Sequence, residues 1–232
     1  MKISLVIPAY NEESRICETL SDYYEYFKKN YDDLEIIVVC DGCTDGTPNI
    51  IKKYSMADKR IKNVILEKKC GKGNAIITGF KKSDGDIIGF TDADESVSPE
   101  DFSRLIETTN EYDCVIASRW LRESVVLKKQ STITRIFSRI FNVIVNLMFD
   151  LKTKDTQCGA KVFKKDAIER ILPLIKSRGY ETDVELLWRI KKLGYKIKEL
   201  PITWTHKGMG KFKLIESPKM LFSLLKIRLN IG

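Results

Sequence analysis

The sequence predicts an α/β fold, a largely parallel sheet flanked by helices, with amphipathic helices toward the C-terminus. Three observations predict it. Apolar runs alternate with helical stretches over the first 120 residues, as in strands that return in parallel through helical crossovers. Polar residues gather at the ends of those runs, where open α/β sheets bind ligands. With 232 residues, 43% of them apolar, the chain has enough nonpolar side chain for one large core and does not read as a disordered tail.

The elements follow in order. "ISLVIP", "EIIVVC", "NVILEK", "DIIGFTD" and "CVIAS" read as strands, and the stretches 12–29, 44–57, 73–82 and 99–110 between them as helices. From 131 the texture changes. "STITRIFSRIFNVIVNLMF" is helical by pattern, with Arg135, Arg139, Asn142 and Asn146 on one polar stripe at steps of four, three and four. Around that stripe lie Ile133, Ile136, Phe137, Ile140, Phe141, Ile144 and Met148. Such cover suits a helix buried on one side and touching lipid or another apolar body on the other; a core helix with one solvated stripe has the same pattern. "KDTQCGAKVF" comes next, then a helix near 178–193, a strand "YKIKELPITW" and a basic amphipathic segment "PKMLFSLLKIRL". That last segment fits a membrane interface, an oligomer contact or a helix capping the core. No internal repeat or low-complexity linker interrupts the chain.

Charge and motifs exclude several classes. The net charge of +8, from 40 basic and 32 acidic residues, favours anionic partners such as phosphates or anionic lipid. Basic residues are not interleaved with aromatics as single-strand binders need, so nucleic acid is not expected. No G-x-x-x-x-G-K-[ST] occurs, and "GKGNAI" lacks the third glycine of a dinucleotide fingerprint. One histidine and six cysteines do not make a structural zinc site. Cys40 and Cys43 form a single C-x-x-C, which can be a redox couple; the other four cysteines read as thiols of a reducing compartment. The chain starts in a strand with no basic-then-apolar leader, so no export is expected. "IFNVIVNLMF" is about half of the roughly 20 residues a membrane span needs.

The strand ends carry the chemistry. Pro8-Ala9-Tyr10-Asn11-Glu12, Asp41-Gly42, Asp92-Ala93-Asp94 and Ser118-Arg119 should meet at one rim. With strand period two, Asp92 and Asp94 leave the same face, and two carboxylates that close repel unless a cation or proton lies between them. They are hard oxygen donors suited to Mg²⁺ or Mn²⁺ bridging to a diphosphate. Asp41 and Glu12 suit hydrogen bonds to a base or ribose, and Tyr10 suits stacking on a base.

"VIPAYNEE", "VVCDGCTDGT", "GKGNAIITGF", "TDADES" and "ASR", in that order, resemble the family 2 glycosyltransferases, which have the Rossmann-like GT-A fold. "KDTQCGAKVF" and "ETDVELLWRIKKLGYKIKELPITWT" are similar to the polyprenyl-phosphate sugar transferases, the dolichyl-phosphate mannose and glucose synthases. "DTQCG" and "TWT" look more like the glucose branch, which favours UDP-glucose as donor, with GDP-mannose as the alternative. The resemblance implies a GT-A domain over 1–215, its donor half near 1–120 and its acceptor half near 121–215, followed by the segment 216–232. It places Pro8, Ala9, Tyr10, Glu12, Asp41, Lys72, Asp92 and Ala93 against the donor. Lys211 and Lys213 would close over the diphosphate. Asp92 and Asp94 would hold the metal, with Ser96 or His206 as third ligand. Ser96 stands where many mannose synthases have glutamine, and Cys40 and Cys43 stand where the family often has an acid and a serine. The C-x-x-C therefore reads as a variant of the donor loop, with Asp41 the retained acid.

The expected reaction is inverting transfer of a hexose to a polyprenyl monophosphate. The acceptor's second pKa is near ~6, so it is already largely a dianion and needs no dedicated base. Cationic positioning is needed instead, and Arg119, Arg135 and Arg139 suit it because guanidinium grips phosphate through paired hydrogen bonds. With Asp94 they are the residues expected to carry transfer. Transfer to a saccharide hydroxyl, with Asp155 or Asp183 as base, and a non-catalytic nucleotide-sugar binder are the alternatives. The expected location is cytoplasmic, peripheral on the cytoplasmic face of a membrane.

Overall fold

In the computed structural model, residues 1–128, 131–207 and 217–229 are described. Five strands and four helices alternate as expected: β1 (Ile3–Ala9), α1 (Ile16–Asn30), β2 (Leu34–Asp41), α2 (Thr47–Ala57), β3 (Ile61–Leu66), α3 (Lys72–Lys82), β4 (Ile87–Thr91), α4 (Pro99–Thr108) and β5 (Cys114–Ser118). Then come β6 (Val125–Lys128), α5 (Thr132–Phe149), β7 (Ala160–Lys164), α6 (Lys165–Ile171), a 3-10 turn at Leu172–Leu174, α7 (Thr182–Lys192), β8 (Ile197–Pro201), β9 (Thr203–Thr205) and α8 (Ser217–Arg228).

Seven strands form one sheet in the order β3-β2-β1-β4-β7-β5-β8. All neighbours are parallel except β7, which runs antiparallel between β4 and β5. Both faces are covered. On β1, Ile3, Leu5, Ile7 and Ala9 point into one apolar layer with α1 and α4, while Val6 points into the other with α3, α5, α7 and α8. Double-sided burial explains why these strands read as unbroken apolar runs.

Three departures from the expected elements have physical causes. "YKIKELPITW" is two strands: Pro201 has no N–H to continue the ladder, and two residues on, Thr203 N donates to the Asp101 carboxylate at 2.7 Å. Beyond that break β9 joins β6 in a separate two-stranded sheet. Second, β7 carries a wholly buried lysine, Lys161, which hides a sheet strand from an apolar reading. Third, the asparagines of the polar stripe of α5 are tied into the fold, while Arg139 on the same stripe is exposed. Asn142 Nδ2 donates to Thr153 O, and its Oδ1 accepts from Thr156 N and Oγ1. Asn146 brackets Thr153 from both sides, so the stripe anchors the 153–156 segment. α5 buries Phe141, Val145 and Phe149 in the core and turns a second apolar side outward: Ile133, Ile136, Phe137, Ile140, Val143 and Leu147 are 50–82% exposed.

α5 is long and apolar enough to cross a membrane by length and composition, with 22% of it buried in the fold. It extends well beyond the ten-residue apolar stretch legible in the sequence. α8 packs Met220, Leu224 and Ile227 into the core against α5 and α7, leaving Phe222, Leu225 and Leu229 outside. The terminal segment thus caps the core.

Candidate active site

A cavity of about 730 Å³ opens at the carboxyl ends of β1, β2, β4 and β5. Pro8, Ala9, Tyr10, Glu12, Asp41, Lys72, Asp92, Ala93, Asp94, Ser96, Arg119 and His206 all line it. Twelve residues from six chain segments thus meet in one place. Arg135 and Arg139 are not on its wall; their guanidinium carbons sit 5.7 and 4.9 Å from the Trp120 ring centroid. Arg139 also donates to Lys154 O at 3.2 Å. The neighbouring α5 residues Thr134, Phe137, Ser138 and Phe141 do line the cavity, facing Lys219, Met220 and Ser223 of α8. Lys211 and Lys213 lie outside the described residues.

The acid pair differs from its expected geometry. β4 ends at Thr91, so Asp92 and Asp94 sit in the turn beyond it and are not set by strand period. Thr19 Oγ1 holds the turn by donating to Ala93 O, and Asp94 Oδ1 accepts from Ser96 N at 3.1 Å. Each acid has its own cation. Lys72 Nζ is 2.7 Å from Asp92, and Arg15 Nη1 is 3.9 Å from Asp94. Asp92 also explains Gly159, because a Cβ there would fall 1.8 Å from Asp92 Oδ2.

Behind these cations stand further acids. Arg15 is held by both oxygens of Glu12. Lys72 lies 3.8 Å from Asp183, whose other oxygen is bonded by the buried Lys161. Burial pulls the Lys72 ammonium down, but Asp92 and Asp183 outweigh it and hold its pKa above the ordinary lysine value. Arg119 is committed as well: Nε and Nη2 bond the two oxygens of Asp155 at 2.7 and 2.9 Å, and its amide N bonds the same carboxylate.

Asp41 shapes the donor loop from within. Its oxygens accept from Cys70 N and Gly71 N at 2.7 and 2.9 Å, fixing the turn that leads into α3 and Lys72. Each oxygen keeps a second lone pair. Gly42 has φ +63° and backs onto Lys69 N, 2.3 Å from where a Cβ would lie, so the loop requires glycine there. Lys69 Nζ in turn lies 3.7 Å from the Tyr10 ring centroid. Cys40 and Cys43 are free thiols of this loop. The Cys40 thiol, hydrogen-bonded to Cys43, pulls Cys43 down to about 7 and is itself pushed up.

Two hard carboxylates on one wall, with the Ser96 side chain beside them, fit a Mg²⁺- or Mn²⁺-type donor set. His206 stacks on Trp204 at 5.8 Å. Among the described residues, Asp92, Asp94 and His206 do not bring three ligand atoms within 4.8 Å of one another. Arg15, Lys161, Gly159 and Gln157, the last a lining residue of the cavity, are not singled out by the sequence, although three of them fall in the "DTQCGAK" motif.

Residues 4–172 match the Glycosyl transferase family 2 profile. The chain belongs to glycosyltransferase family 2. This family 2 enzyme is 30% identical over 219 residues to "Glycosyltransferase AglD" of Haloferax volcanii, covering 93% of this chain and 35% of that protein. It is also 30% identical over 240 residues to the dolichyl-phosphate beta-glucosyltransferase of Dictyostelium discoideum, covering 97% of this chain and 73% of that one. The chain thus spans about a third of the first relative's length and nearly three quarters of the second's. A glucosyl-3-phosphoglycerate synthase from Mycobacterium tuberculosis, solved with Mn²⁺, UDP-glucose and phosphoglyceric acid, shares the fold. Its TM-score is 0.71 at 19% identity, over 100% of this chain and 80% of that one. The glycosyltransferase therefore has the GT-A architecture, and its cavity lies where such sheets bind ligands.

Proposed function

We propose that this glycosyltransferase transfers a hexose, with inversion, from a nucleotide sugar to a polyprenyl monophosphate, UDP-glucose being favoured over GDP-mannose. The observation that carries the reading is the two-ended cavity. One end is lined by the Asp92, Asp94 and Asp41 loops. The other lies between α5 and α8, with Phe137, Phe141 and Met220 as apolar wall and Lys219 among its lining residues. A sugar nucleotide suits the first end and a lipid phosphate the second. The name of the Dictyostelium relative, a dolichyl-phosphate beta-glucosyltransferase, supports the lipid phosphate and the glucosyl group.

The chain's own residues define the rest. Asp92 and Asp94 would hold a divalent cation, which when bound offsets the charge of the departing diphosphate. Pro8, Ala9, Tyr10 and Asp41 shape the nucleoside end, and Glu12 positions Arg15. A hydroxyl acceptor needs a base with pKa near the working pH. Asp155 does not meet that need: burial raises its carboxyl, but Arg119 outweighs burial and holds it below the ordinary range. Asp183 is bound by Lys161 and faced by Lys72. Two candidate bases tied to cations favour an acceptor that arrives already ionised. Residues 1–120 then serve the donor and 121–215 the acceptor, with α8 completing the acceptor wall. The outward apolar side of α5, beside that wall, supports peripheral placement on the cytoplasmic face of a membrane.

A panel of nucleotide sugars offered with a short polyprenyl phosphate and Mg²⁺ or Mn²⁺, products read by mass, tests the reading. A hexosyl-phosphoryl lipid is expected. Transfer to free saccharides with none to lipid phosphate would overturn it. Arg135→Ala is expected to leave the acceptor KM near wild type, because Arg135 stands on the Trp120 ring off the cavity wall; a rise of about tenfold in the acceptor KM alone, the order of losing one charge-assisted phosphate contact, would return it to the acceptor site. An equal rise in both would give Arg135 a packing role on Trp120 alone.

A further inference from the structure

The metal-site acids are paired unequally with cations. Arg15 is seated on Glu12 and only approaches Asp94, at 3.9 Å. Lys72 is the reverse: its ammonium sits on Asp92 at 2.7 Å and stands 3.8 Å from Asp183. Asp183 is a fixed anchor, because its other oxygen is bonded by Lys161, which is 0% exposed and also donates to Cys158 O. Lys161 therefore fixes where Asp183 stands and leaves the second oxygen facing Lys72. The Lys72 ammonium also lies 5.7 and 6.0 Å from the Phe90 and Tyr180 ring centroids, with two anionic seats within reach, at 2.7 and 3.8 Å. A compact point charge on a flexible stem can exchange between them.

We propose that Lys72 is a resident counter-ion for the metal site: it holds Asp92 before a divalent cation arrives, then moves onto Asp183 and the donor diphosphate. The inference rests on the metal reading above and goes beyond it by specifying how the cation and the donor depend on each other. Asp92, Lys72, Asp183 and Lys161 together are neutral. A cation taking Asp92 on its own leaves Lys72 with only the second oxygen of an Asp183 carboxylate that also serves Lys161. When the diphosphate is present, the displaced ammonium gains a second anion. Cation and donor therefore bind cooperatively, and by linkage each tightens the other equally.

The test is Mn²⁺ titration, followed by the paramagnetic resonance of free Mn²⁺, with and without UDP, on the full chain. In the wild type, UDP should tighten Mn²⁺. Lys72→Met removes the competing cation and keeps the stem's bulk. It is expected to bind Mn²⁺ alone about tenfold tighter, the scale of changes next to a metal ligand. It should also bind UDP more weakly at saturating Mn²⁺ and lose most of the coupling. A structural defect would weaken both ligands together, so the opposite signs are diagnostic. Lys72→Arg, which keeps the charge, should bind Mn²⁺ at the wild-type level. Mn²⁺ binding in Lys72→Met that is no tighter than wild type, or a Lys72→Arg as tight as Lys72→Met, overturns the proposal. Wild-type Mn²⁺ binding that survives Asp92→Asn and Asp94→Asn overturns the metal reading itself, and the exchange with it.

Discussion

Asp94→Ala is expected to cut sugar transfer roughly 10³-fold, about 4 kcal/mol of transition-state stabilisation, with the donor still bound. Asp94 lies beyond β4 on the cavity wall, and its nearest cation, Arg15, is already held by Glu12. Asp94 therefore stands farther from its cation than Asp92 does from Lys72, 3.9 Å against 2.7 Å, with its side chain 19% exposed against 37%. The same carboxylate accepts the Ser96 amide at 3.1 Å, so alanine also removes a hydrogen bond of the turn. Asp94→Asn separates the two effects, since the amide oxygen can still accept that bond while the charge is gone. Steady-state transfer with Mn²⁺ and a lipid phosphate should show both variants similarly impaired. An asparagine variant with near-normal turnover would remove Asp94 from the metal site and leave it a turn residue.

Asp155→Ala is expected to lower stability by about 3–5 kcal/mol, the cost of leaving one partner of a buried ion pair uncompensated. At roughly 2–4 °C per kcal/mol for a chain of this size, the melting temperature should fall by ~6–20 °C. Asp155 accepts three hydrogen bonds from Arg119, and the two side chains are 2% and 12% exposed. Asp155 also anchors the chain to β8, its amide donating to Glu199. Replacing both partners, Arg119→Met with Asp155→Leu, should recover most of the loss because no buried charge remains.

The pH dependence has a definite sign. The folded carboxyl of Asp155 lies below its ordinary value, because Arg119 outweighs burial. Its contribution is therefore fully present above the unfolded value near ~3.9 and is lost as pH falls through the lower folded value. The gap in melting temperature between wild type and Asp155→Ala should narrow below about pH 4. A constant gap down to pH 2 would mean that the pair does not stabilise through its charge.

Much of the site was legible because it sits on parallel strands buried on both faces. Such strands are unbroken apolar runs, and their ends are marked by the first polar residues after them. Pro8, Ala9, Tyr10, Glu12, Asp41, Asp92 to Asp94 and Arg119 are legible in that way, and all reach one cavity. The second half of the chain was less legible. β7 reads "AKVFK", and its Lys161 looks like a surface charge until Asp183, 22 residues away, neutralises it. Arg135 and Arg139 share their stripe with Asn142 and Asn146 as expected. That stripe faces Trp120 and the 153–156 segment, while a second apolar side faces outward. Periodicity shows that a helix has two faces and carries no information about which one the fold covers.

The sequence by itself determined the α/β alternation, the rim of acids and the family, because local propensity, strand burial and strand-end chemistry are short-range properties written within each segment. Only the tertiary structure decided which charges neutralise which. Lys72 serves Asp92 and faces Asp183, Arg15 serves Glu12 beside Asp94, and Arg119 is bound to Asp155. Those pairings join residues up to about a hundred positions apart. They depend on distances that exist only once the sheet has brought its strand ends together, and the strength of a charge pair falls with distance and with exposure to water.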